Sequence, residues 1–332
     1  MVKVSVIVPV YNACNNIRNT LNHIITQNFD DFEIIIVDDG SKDDSVKTIK
    51  EIMLNSKINY KLIQQENAGS SAARNRGLIE SSGKYIVFVD DDDLIGENHL
   101  KDLYCSMINQ NTSFAFTEMF KINKDFKYLS SLNAYDILKN KSKISTKDLI
   151  KQELLMKIPF SFCQIMYDKS IINKFNLKFN EKIDYGEDTD FALRNLIHGE
   201  NVSLTNNGSY FYLQHESLTS KSFLNRFDFV FVLEDLADYY SQINESKNKE
   251  LINLIYTYRI PKAIFGNLMF LFYKDYPFDE IMEYMKDKDI LNKLNNFKPI
   301  NHSDFKFQLK IKSFLINPKI YYKFWKSTKN SI

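Results

Sequence analysis

Four short apolar runs, separated by segments with helical spacing, occupy the chain from Met1 to about Leu103. The runs are KVSVIVPVY, FEIIIVDD, YKLIQQ and KYIVFVDD. Continuous runs rich in β-branched residues are typical of strands that are buried on both faces of a parallel sheet. Because these predicted strands alternate with predicted helices, the sequence indicates βαβ units and an α/β fold.

Polar residues follow three of these predicted strands. Pro9 to Asn12 come after the first strand, Asp38 to Ser41 after the second and Asp90 to Asp93 after the fourth. Right-handed crossovers place the carboxyl ends of parallel strands at one edge of a sheet, where α/β proteins bind their ligands. We therefore expect the three polar segments to meet in space.

The rest of the chain is mixed and then helical. SFAFTEMF, FCQIMYD and GSYFYLQH are predicted strands, and EDTDFALRNLIHG is a predicted helix. Helical spacing returns in FLNRFDFVFVLEDLADYYSQI and IMEYMKDKDILNKL. We predict one domain over residues 1–222, with halves at 1–110 and 111–222, followed by a mainly helical region over residues 223–332.

Composition excludes several classes of protein. The chain has 332 residues, of which 44% are hydrophobic, and this is enough for a sizeable core. With 43 basic and 42 acidic residues its net charge is +1, which argues against nucleic-acid binding by bulk charge. Three cysteines without CxxC spacing indicate neither a disulfide framework nor a zinc site. The apolar stretch IPKAIFGNLMFLF is too short to span a bilayer, so we expect a cytoplasmic protein.

Four consecutive aspartates, Asp90 to Asp93, end the fourth predicted strand. Carboxylates this close repel one another, and their burial is costly unless a positive partner neutralises them. Asp90 and Asp92, on alternate residues, can converge on one Mg²⁺ or Mn²⁺, with substrate phosphates completing the coordination shell. The alternative is a solvated acidic turn that only ends the strand.

Two further segments suit a phosphate-bearing ligand. In NAGSSAARNRG, Gly69 allows close backbone approach and Arg74 and Arg76 supply positive charge. In DDGS, Asp39 can accept a hydrogen bond from a base or a ribose. The alternatives are an ordinary helix with solvated arginines and a simple strand-to-helix turn. Neither a Walker A loop nor a GxGxxG fingerprint is present in the sequence.

A second acidic motif, YGEDTDF, opens the helix predicted near residue 187. Carboxylates at a helix N-terminus are stabilised by the helix dipole, and this alone explains an acidic first turn. Near a substrate, the same carboxylate could instead take a proton from a hydroxyl group. The residues alone do not decide between these two roles for Glu187 and Asp188.

Five segments together resemble the family 2 glycosyltransferases, which have the GT-A fold. They are VSVIVPVYN, VDDGSKD, NAGSSAARNRG, FVDDDD and GEDTDF, in this order, and the resemblance covers roughly Met1 to Ser220. It implies a Rossmann-like, mixed but mostly parallel sheet flanked by helices, with a C-terminal helical extension. Residues 1–110 would bind the nucleotide-sugar and residues 111–222 the acceptor.

Carried over position by position, the resemblance implies a set of site residues. Those around a nucleotide-sugar, usually UDP-linked, are Pro9, Val10, Tyr11, Asn12, Asp39, Asn67, Gly69, Arg74, Asp90 and Asp91. Asp90 and Asp92 would bind Mn²⁺ or Mg²⁺, and Asp188 would be the catalytic base. His215, in YLQHES, resembles a family histidine that approaches the metal or the diphosphate, and its alternative role is structural.

The resemblance implies an inverting glycosyltransferase, with a hexose as the expected sugar. Its acceptor would be a hydroxyl in a surface polysaccharide, a lipid-linked oligosaccharide, a teichoic acid or a glycoprotein. One alternative is a nucleotide-sugar-binding protein without catalysis. Another is a phosphatase with a DxD nucleophile, which DDDDLIG disfavours because no small β-branched residue follows the Asp pair at the expected place.

The C-terminal tail combines lysines with aromatic residues. After Asp304 the chain has no acidic residue, and its lysines are Lys306, Lys310, Lys312, Lys319, Lys323, Lys326 and Lys329. The aromatic residues that we assign to a membrane contact are Phe314, Tyr321, Tyr322, Phe324 and Trp325. This composition suits peripheral binding to the inner, anionic face of a membrane. The alternative is a solvated helix whose aromatic residues pack on the protein.

Overall fold

The computed structural model describes residues 2–123, 127–132, 138, 141–158, 160–214 and 223–329. The chain divides into two compact units. The first unit comprises residues 1–183 and 187–218, and the second comprises residues 184–186 and 219–332. The boundary predicted at residue 222 lies outside the described residues.

The first unit is built on one mixed sheet. Its strands, within the described ranges, are β1 (Val4–Val10), β2 (Phe32–Asp38), β3 (Asn59–Gln64), β4 (Tyr85–Phe88), β5 (Leu94–Ile95), β6 (Phe114–Ile122), β7 (Tyr128–Leu132), β8 (Lys143–Ser145), β9 (Ile165–Asp168) and β10 (Asn201–Leu213). The order across the sheet is β3-β2-β1-β4-β9-β6-β10-β5, with β7 paired to β6 and β8 paired to β10. Strands β1, β2, β3, β4, β6 and β10 run in one direction, which confirms the mostly parallel sheet.

Helices flank this sheet. They are α1 (Ile17–Ile25), α2 (Ser45–Leu54), α3 (Ser70–Glu80), α4 (His99–Gln110), α5 (Thr146–Leu154), α6 (Lys169–Lys174) and α7 (Glu187–Leu196). Helix α3 packs on β1 and β2, and α4 packs on β6 and β10. The four N-terminal strands are confirmed, but burial on both faces is wrong for β3. That strand pairs with β2 at the edge of the sheet, and each of its six residues is exposed or half-buried.

An aromatic core lies behind the carboxyl end of β4. The Phe88 ring meets Phe162, Tyr167, Phe179 and Phe191 at centroid distances of 5.3 to 6.0 Å. Phe179 and Phe191 stack with their centroids 4.0 Å apart. Packed aromatic rings are rigid, so this core holds the end of β4 and the start of α7 in fixed positions.

The second unit is helical, as predicted for the C-terminal region. Its helices are α8 (Asp228–Leu254), α9 (Ile260–Tyr273), α10 (Phe278–Asp287), α11 (Ile290–Lys293), α12 (His302–Ile316) and α13 (Pro318–Lys329). A π-helical turn, Ile255–Arg259, joins α8 to α9. Within the described ranges, none of the helices has the length and apolar character needed to cross a membrane.

The aromatic residues of the tail mostly face the protein. Phe314 is completely buried, and the Tyr322 ring lies 4.7 Å from that of Phe272 on α9. Trp325 lies 5.6 Å from the same ring. The assignment of these residues to a membrane contact is therefore wrong for Phe314, and only Phe324 among the five assigned residues is largely exposed.

Candidate active site

The polar segments after β1, β2 and β4 meet at one edge of the sheet, as expected. The backbone N–H of Tyr11 donates a hydrogen bond of 3.0 Å to Oδ2 of Asp91. The backbone N–H of Asn12 donates a hydrogen bond of 2.9 Å to Oγ of Ser41. Pro9 and Val10 are buried in β1, beside Val37 and Asp38 of β2. The predicted nucleotide-sugar residues of these segments thus lie together at one edge of the sheet, with Pro9 and Val10 beneath its surface.

The carboxylate of Asp39 organises the loop between β3 and α3. It is buried and accepts hydrogen bonds from the backbone N–H groups of Ala68 at 2.9 Å and Gly69 at 2.8 Å. The side-chain amide of Gln65 donates a third bond, of 2.7 Å. Asn67 donates from its side chain to the Asp39 carbonyl oxygen at 3.0 Å. Asp39 therefore has a structural function beside the nucleotide contact that the family resemblance implies.

Gly69 precedes α3 with a backbone φ of +92°. A Cβ atom at this position would meet no other atom within 4 Å, so space is open beside the loop. The left-handed φ, and not crowding, is what requires glycine here. Residues 67–69 are exposed to solvent.

Arg74 lies buried on α3 between two acidic motifs. Its Nη2 is 2.9 Å from Oδ1 of Asp90, and its Nη1 is 3.5 Å from Oε1 of Glu187. The guanidinium also lies over the rings of Phe162 and Phe179, at 4.6 and 5.4 Å. Burial disfavours the charged form, but the neighbouring acidic groups, Asp90 first among them, outweigh it and raise the pKa of Arg74. Arg74 is thus a charged bridge between the acidic cluster and the start of α7.

The four aspartates of the cluster have different surroundings. Asp90 pairs with Arg74, and Asp91 accepts the Tyr11 N–H bond. Burial, reinforced by repulsion from the adjacent carboxylates, raises the pKa of Asp91 to about 7. Asp93 is buried and accepts bonds of 2.6 Å from the Tyr210 hydroxyl and 2.9 Å from the Leu213 N–H. Asp93 therefore fastens the cluster to β10.

The predicted metal ligands suit a hard cation by their chemistry. Mg²⁺ and Mn²⁺ prefer oxygen donors, and Mg²⁺ is commonly held by one or two carboxylates together with substrate phosphates. Asp90 and Asp92 offer such carboxylates, although Oδ1 of Asp90 is engaged with Arg74. No group of three or more His, Cys, Asp or Glu in the described part of the chain is arranged to hold a metal ion. His215 lies outside the described residues.

Asp188 lies in the first turn of α7, and its Oδ1 accepts the backbone N–H of Thr189 at 2.6 Å. Its acidic neighbours are held by arginines. Glu187 pairs with Arg74, and both carboxylate oxygens of Asp190 accept bonds from Nε of Arg194, at 2.8 and 2.9 Å. Among the described residues, Asp188 forms no comparable ion pair with Lys or Arg. Of the three acids in this turn, Asp188 is the one that these arginine pairs do not engage.

Sequence reasoning missed two contacts that shape this site. It did not identify Glu187 as a partner of Arg74, nor Tyr210 as a partner of Asp93. The first had no decisive signal, because the helix dipole alone accounts for two adjacent acids at the start of a helix. The second had none, since nothing in the spacing connects Asp93 with a tyrosine of β10.

The chain is similar to known proteins in sequence and in fold. Residues 5–175 match the family model described as Glycosyl transferase family 2. An uncharacterized glycosyltransferase of Rickettsia bellii is 32% identical over 207 residues, which cover 61% of this chain and 28% of that protein. The poly(ribitol-phosphate) beta-N-acetylglucosaminyltransferase TarP of Staphylococcus aureus is 27% identical over 220 residues, covering 65% of this chain and 64% of that protein. The chain thus matches less than two thirds of the length of either relative.

The fold is shared with a solved structure, that of S. aureus TarS 1-349 in complex with UDP-GlcNAc. The TM-score is 0.70 at 21% sequence identity, over 88% of this chain and 81% of that chain. This likeness confirms the GT-A type of fold. Since the family model covers just over half of the 332 residues, the chain belongs to the family 2 glycosyltransferases.

Proposed function

We propose that this protein is an inverting glycosyltransferase that moves a sugar from a nucleoside diphosphate to an acceptor hydroxyl. The observation that carries the proposal is the bridge formed by Arg74 between Asp90 and Glu187. This bridge ties the acidic cluster at the end of β4 to the helix that bears Asp188. A transferase needs its donor site and its base within reach of one anomeric carbon, and two fixed motifs side by side meet that need.

The donor side is formed by the edge of the sheet. Tyr11, Asn12 and the loop at residues 67–69 offer exposed groups next to Asp39 and Asp91. We expect a UDP-sugar, and UDP-GlcNAc is the first donor to test because the TarS neighbour was solved with it. Arg74 would act on the donor mainly through Asp90, whose carboxylate it holds.

Asp90 and Asp92 would hold Mn²⁺ or Mg²⁺ together with the diphosphate of the donor. A metal there would supply positive charge to the diphosphate as the bond to the sugar breaks. Asp188 would take the proton from the acceptor hydroxyl that attacks the opposite face of the sugar. Such an attack inverts the configuration of the anomeric carbon.

The acceptor side is proposed from the relatives. TarP is named for transfer onto poly(ribitol-phosphate), and we propose a hydroxyl of a surface polysaccharide or glycoconjugate as the acceptor of this protein. A cytoplasmic location, expected from the sequence, belongs to the same proposal. We also propose that the transferred sugar is a hexose.

A donor screen tests the proposal directly. The full chain is incubated with UDP-GlcNAc, UDP-glucose, UDP-galactose and UDP-GalNAc, with Mn²⁺ and with or without poly(ribitol-phosphate), and free UDP is measured. We expect one donor to release UDP, faster with acceptor, and the Asp188→Asn variant to release little. A donor that binds by calorimetry but is never turned over would instead indicate a binding protein without catalysis.

A further inference from the structure

The outer faces of α12 and α13 carry large apolar side chains in solvent. We call this surface, formed by the outward residues of the two helices, the outer face. Its apolar members are Phe305, Leu309, Ile316, Ile320 and Phe324, which are 56%, 64%, 85%, 65% and 68% exposed. Scattered single apolar residues are normal on a protein surface, but five on two consecutive helices are not scattered.

The apolar residues are regularly spaced along each helix. Phe305, Leu309 and Ile316 are separated by four and seven residues, so they lie on one side of α12. Ile320 and Phe324, four residues apart, share one side of α13. Other sides of the helices are already used for packing, since Ile311 and Phe314 are buried, and Tyr322 contacts α9. Each helix thus has an apolar side toward its own unit and a second one toward solvent.

Positive charge surrounds these exposed side chains. The exposed lysines of the outer face are Lys306, Lys310, Lys312, Lys319, Lys323 and Lys326. The chain has no acidic residue after Asp304, which is itself buried and paired with Lys262 at 2.9 Å. Of the lysines, Lys326 is within 3.8 Å of an exposed carboxylate, that of Asp275. The two helices themselves therefore expose these lysines and no acidic residue, since Asp304 is buried.

We propose that the outer face docks on an anionic lipid bilayer. The lysines complement the negative headgroups, and the apolar side chains enter the boundary between headgroups and acyl chains. A soluble polyanion would use the lysines but would leave five large apolar side chains in water. The combination of both residue types on the exposed sides of α12 and α13 is what favours a lipid surface over such a polymer.

Vesicle flotation of the full-length protein tests this proposal. The probes are phosphatidylcholine vesicles with and without phosphatidylglycerol. Lys310→Gln with Lys323→Gln should weaken binding to the anionic vesicles about 30-fold, because each Lys near the surface contributes about 1 kcal/mol. Leu309→Ser with Phe324→Ser should weaken it by at least about tenfold, because buried CH₂ groups contribute about 0.8 kcal/mol each.

Matched controls come from the first unit of the chain. Lys47 and Lys50 are exposed lysines on α2, and Leu54 and Ile79 are 82% and 75% exposed. The pairs Lys47→Gln with Lys50→Gln and Leu54→Ser with Ile79→Ser should bind vesicles as the unmodified protein does. Circular dichroism and UDP release in solution check that every variant is folded.

Three outcomes would overturn the proposal. One is that the same fraction of the protein floats with anionic vesicles as with neutral vesicles, or that the protein floats with neither. Another is loss of binding in the lysine variant alone together with full competition by soluble polyphosphate, which would identify a polyanion as the partner. The third is an equal loss of binding in the control pairs, which would mean that charge and apolarity anywhere on the surface suffice.

Discussion

Arg74 and Glu187 form an ion pair, with 3.5 Å between Nη1 and Oε1, across 113 residues of sequence. The side chain of Arg74 is 8% exposed and that of Glu187 is 16% exposed. Because Arg74 also binds Asp90, one guanidinium links the acidic cluster to α7, in addition to the aromatic core behind them. The site therefore depends on a residue that need not touch the reacting atoms.

Replacing Arg74 by Met should destabilise the protein strongly. The substitution leaves Asp90 and Glu187 without their common cation, and breaking a buried pair typically costs about 3–5 kcal/mol. Urea unfolding measures this loss. Arg76→Met is the matched control on the same helix, since Arg76 is half-exposed and its pair with Glu80 should contribute less than about 1 kcal/mol. An equal loss of unfolding free energy in the two variants would show that the Arg74 bridge stabilises the protein no more than a surface ion pair does.

Asp188→Asn should abolish turnover and leave the fold intact. The amide keeps the size of the side chain but cannot accept the proton, and loss of a general base costs about 10²- to 10⁴-fold in rate. Nucleotide affinity by calorimetry and the melting temperature should change little. Glu187→Gln and Asp190→Asn serve for comparison. Both substitutions break an ion pair with an arginine, so they should lower the melting temperature of the protein.

Near-normal transfer by Asp188→Asn would place the base elsewhere. A joint fall in rate, nucleotide affinity and melting temperature would instead identify Asp188 as a structural residue of the helix start. Only collapsed turnover with an intact fold and intact binding agrees with the assignment.

Asp39→Ala should weaken both nucleotide binding and the fold. Loss of a charge-assisted contact with the nucleotide would cost roughly 1.5–3 kcal/mol of affinity. The same change leaves the N–H groups of Ala68 and Gly69 without their acceptor. Gln65→Ala separates the two effects, because it removes one donor and keeps the carboxylate. Unchanged UDP affinity of Asp39→Ala by calorimetry would refute the nucleotide contact.

Chelation of divalent metal should stop sugar transfer. Excess EDTA is expected to abolish UDP release, and added Mn²⁺ or Mg²⁺ should restore it, because Asp90 and Asp92 are proposed to share one cation with the diphosphate. Asp92→Asn should raise the metal concentration needed for half-maximal rate. Full activity in excess chelator would end the metal hypothesis.

Stability should fall in mild acid because of His99. This histidine is completely buried at the start of α4, and burial lowers its pKa from 6.5 to about 4. Between these two values the unfolded chain takes up a proton at His99 that the folded protein does not, so the free energy of unfolding decreases as the pH falls. The contribution is about 3 kcal/mol in total.

Urea unfolding of the wild type and His99→Leu at several pH values tests this. The difference in unfolding free energy between the two proteins should shift in favour of the variant below about pH 6.5. His302→Leu is the control for loss of a histidine at an exposed position. Parallel pH curves for wild type and His99→Leu would contradict the prediction.

The strands and their polar ends could be predicted from local sequence alone. Continuous apolar runs identify β1, β2 and β4, and the crossover rule brings Tyr11 and Asp91 together without further information. The exposure of β3 had a sign in the sequence, because YKLIQQ contains Lys61, Gln64 and Gln65 where the other runs are nearly all apolar. That β3 is an edge strand follows only from the order of the strands in the sheet.

The partners of the buried charges were not predictable, for a physical reason. Arg74 and Arg76 stand two residues apart in the same motif, yet the first is buried and the second is exposed. Helical periodicity shows that the two side chains lie on different sides of α3. It does not show which of these sides is covered by other parts of the protein. That depends on Asp90, 16 residues away, and on Glu187, 113 residues away.

The position of β9 has a consequence for synthesis of the chain. This four-residue strand lies between β4 and β6, although it follows both in sequence. Strands β1 to β4 can pair with one another as soon as they leave the ribosome, whereas β6 must wait for β9 and β10. Until then the apolar strand FAFTEMFKI lacks two of its sheet neighbours, and unpaired strand edges favour aggregation. Translation between β6 and β10 is thus the interval in which a nascent chain has most need of a chaperone.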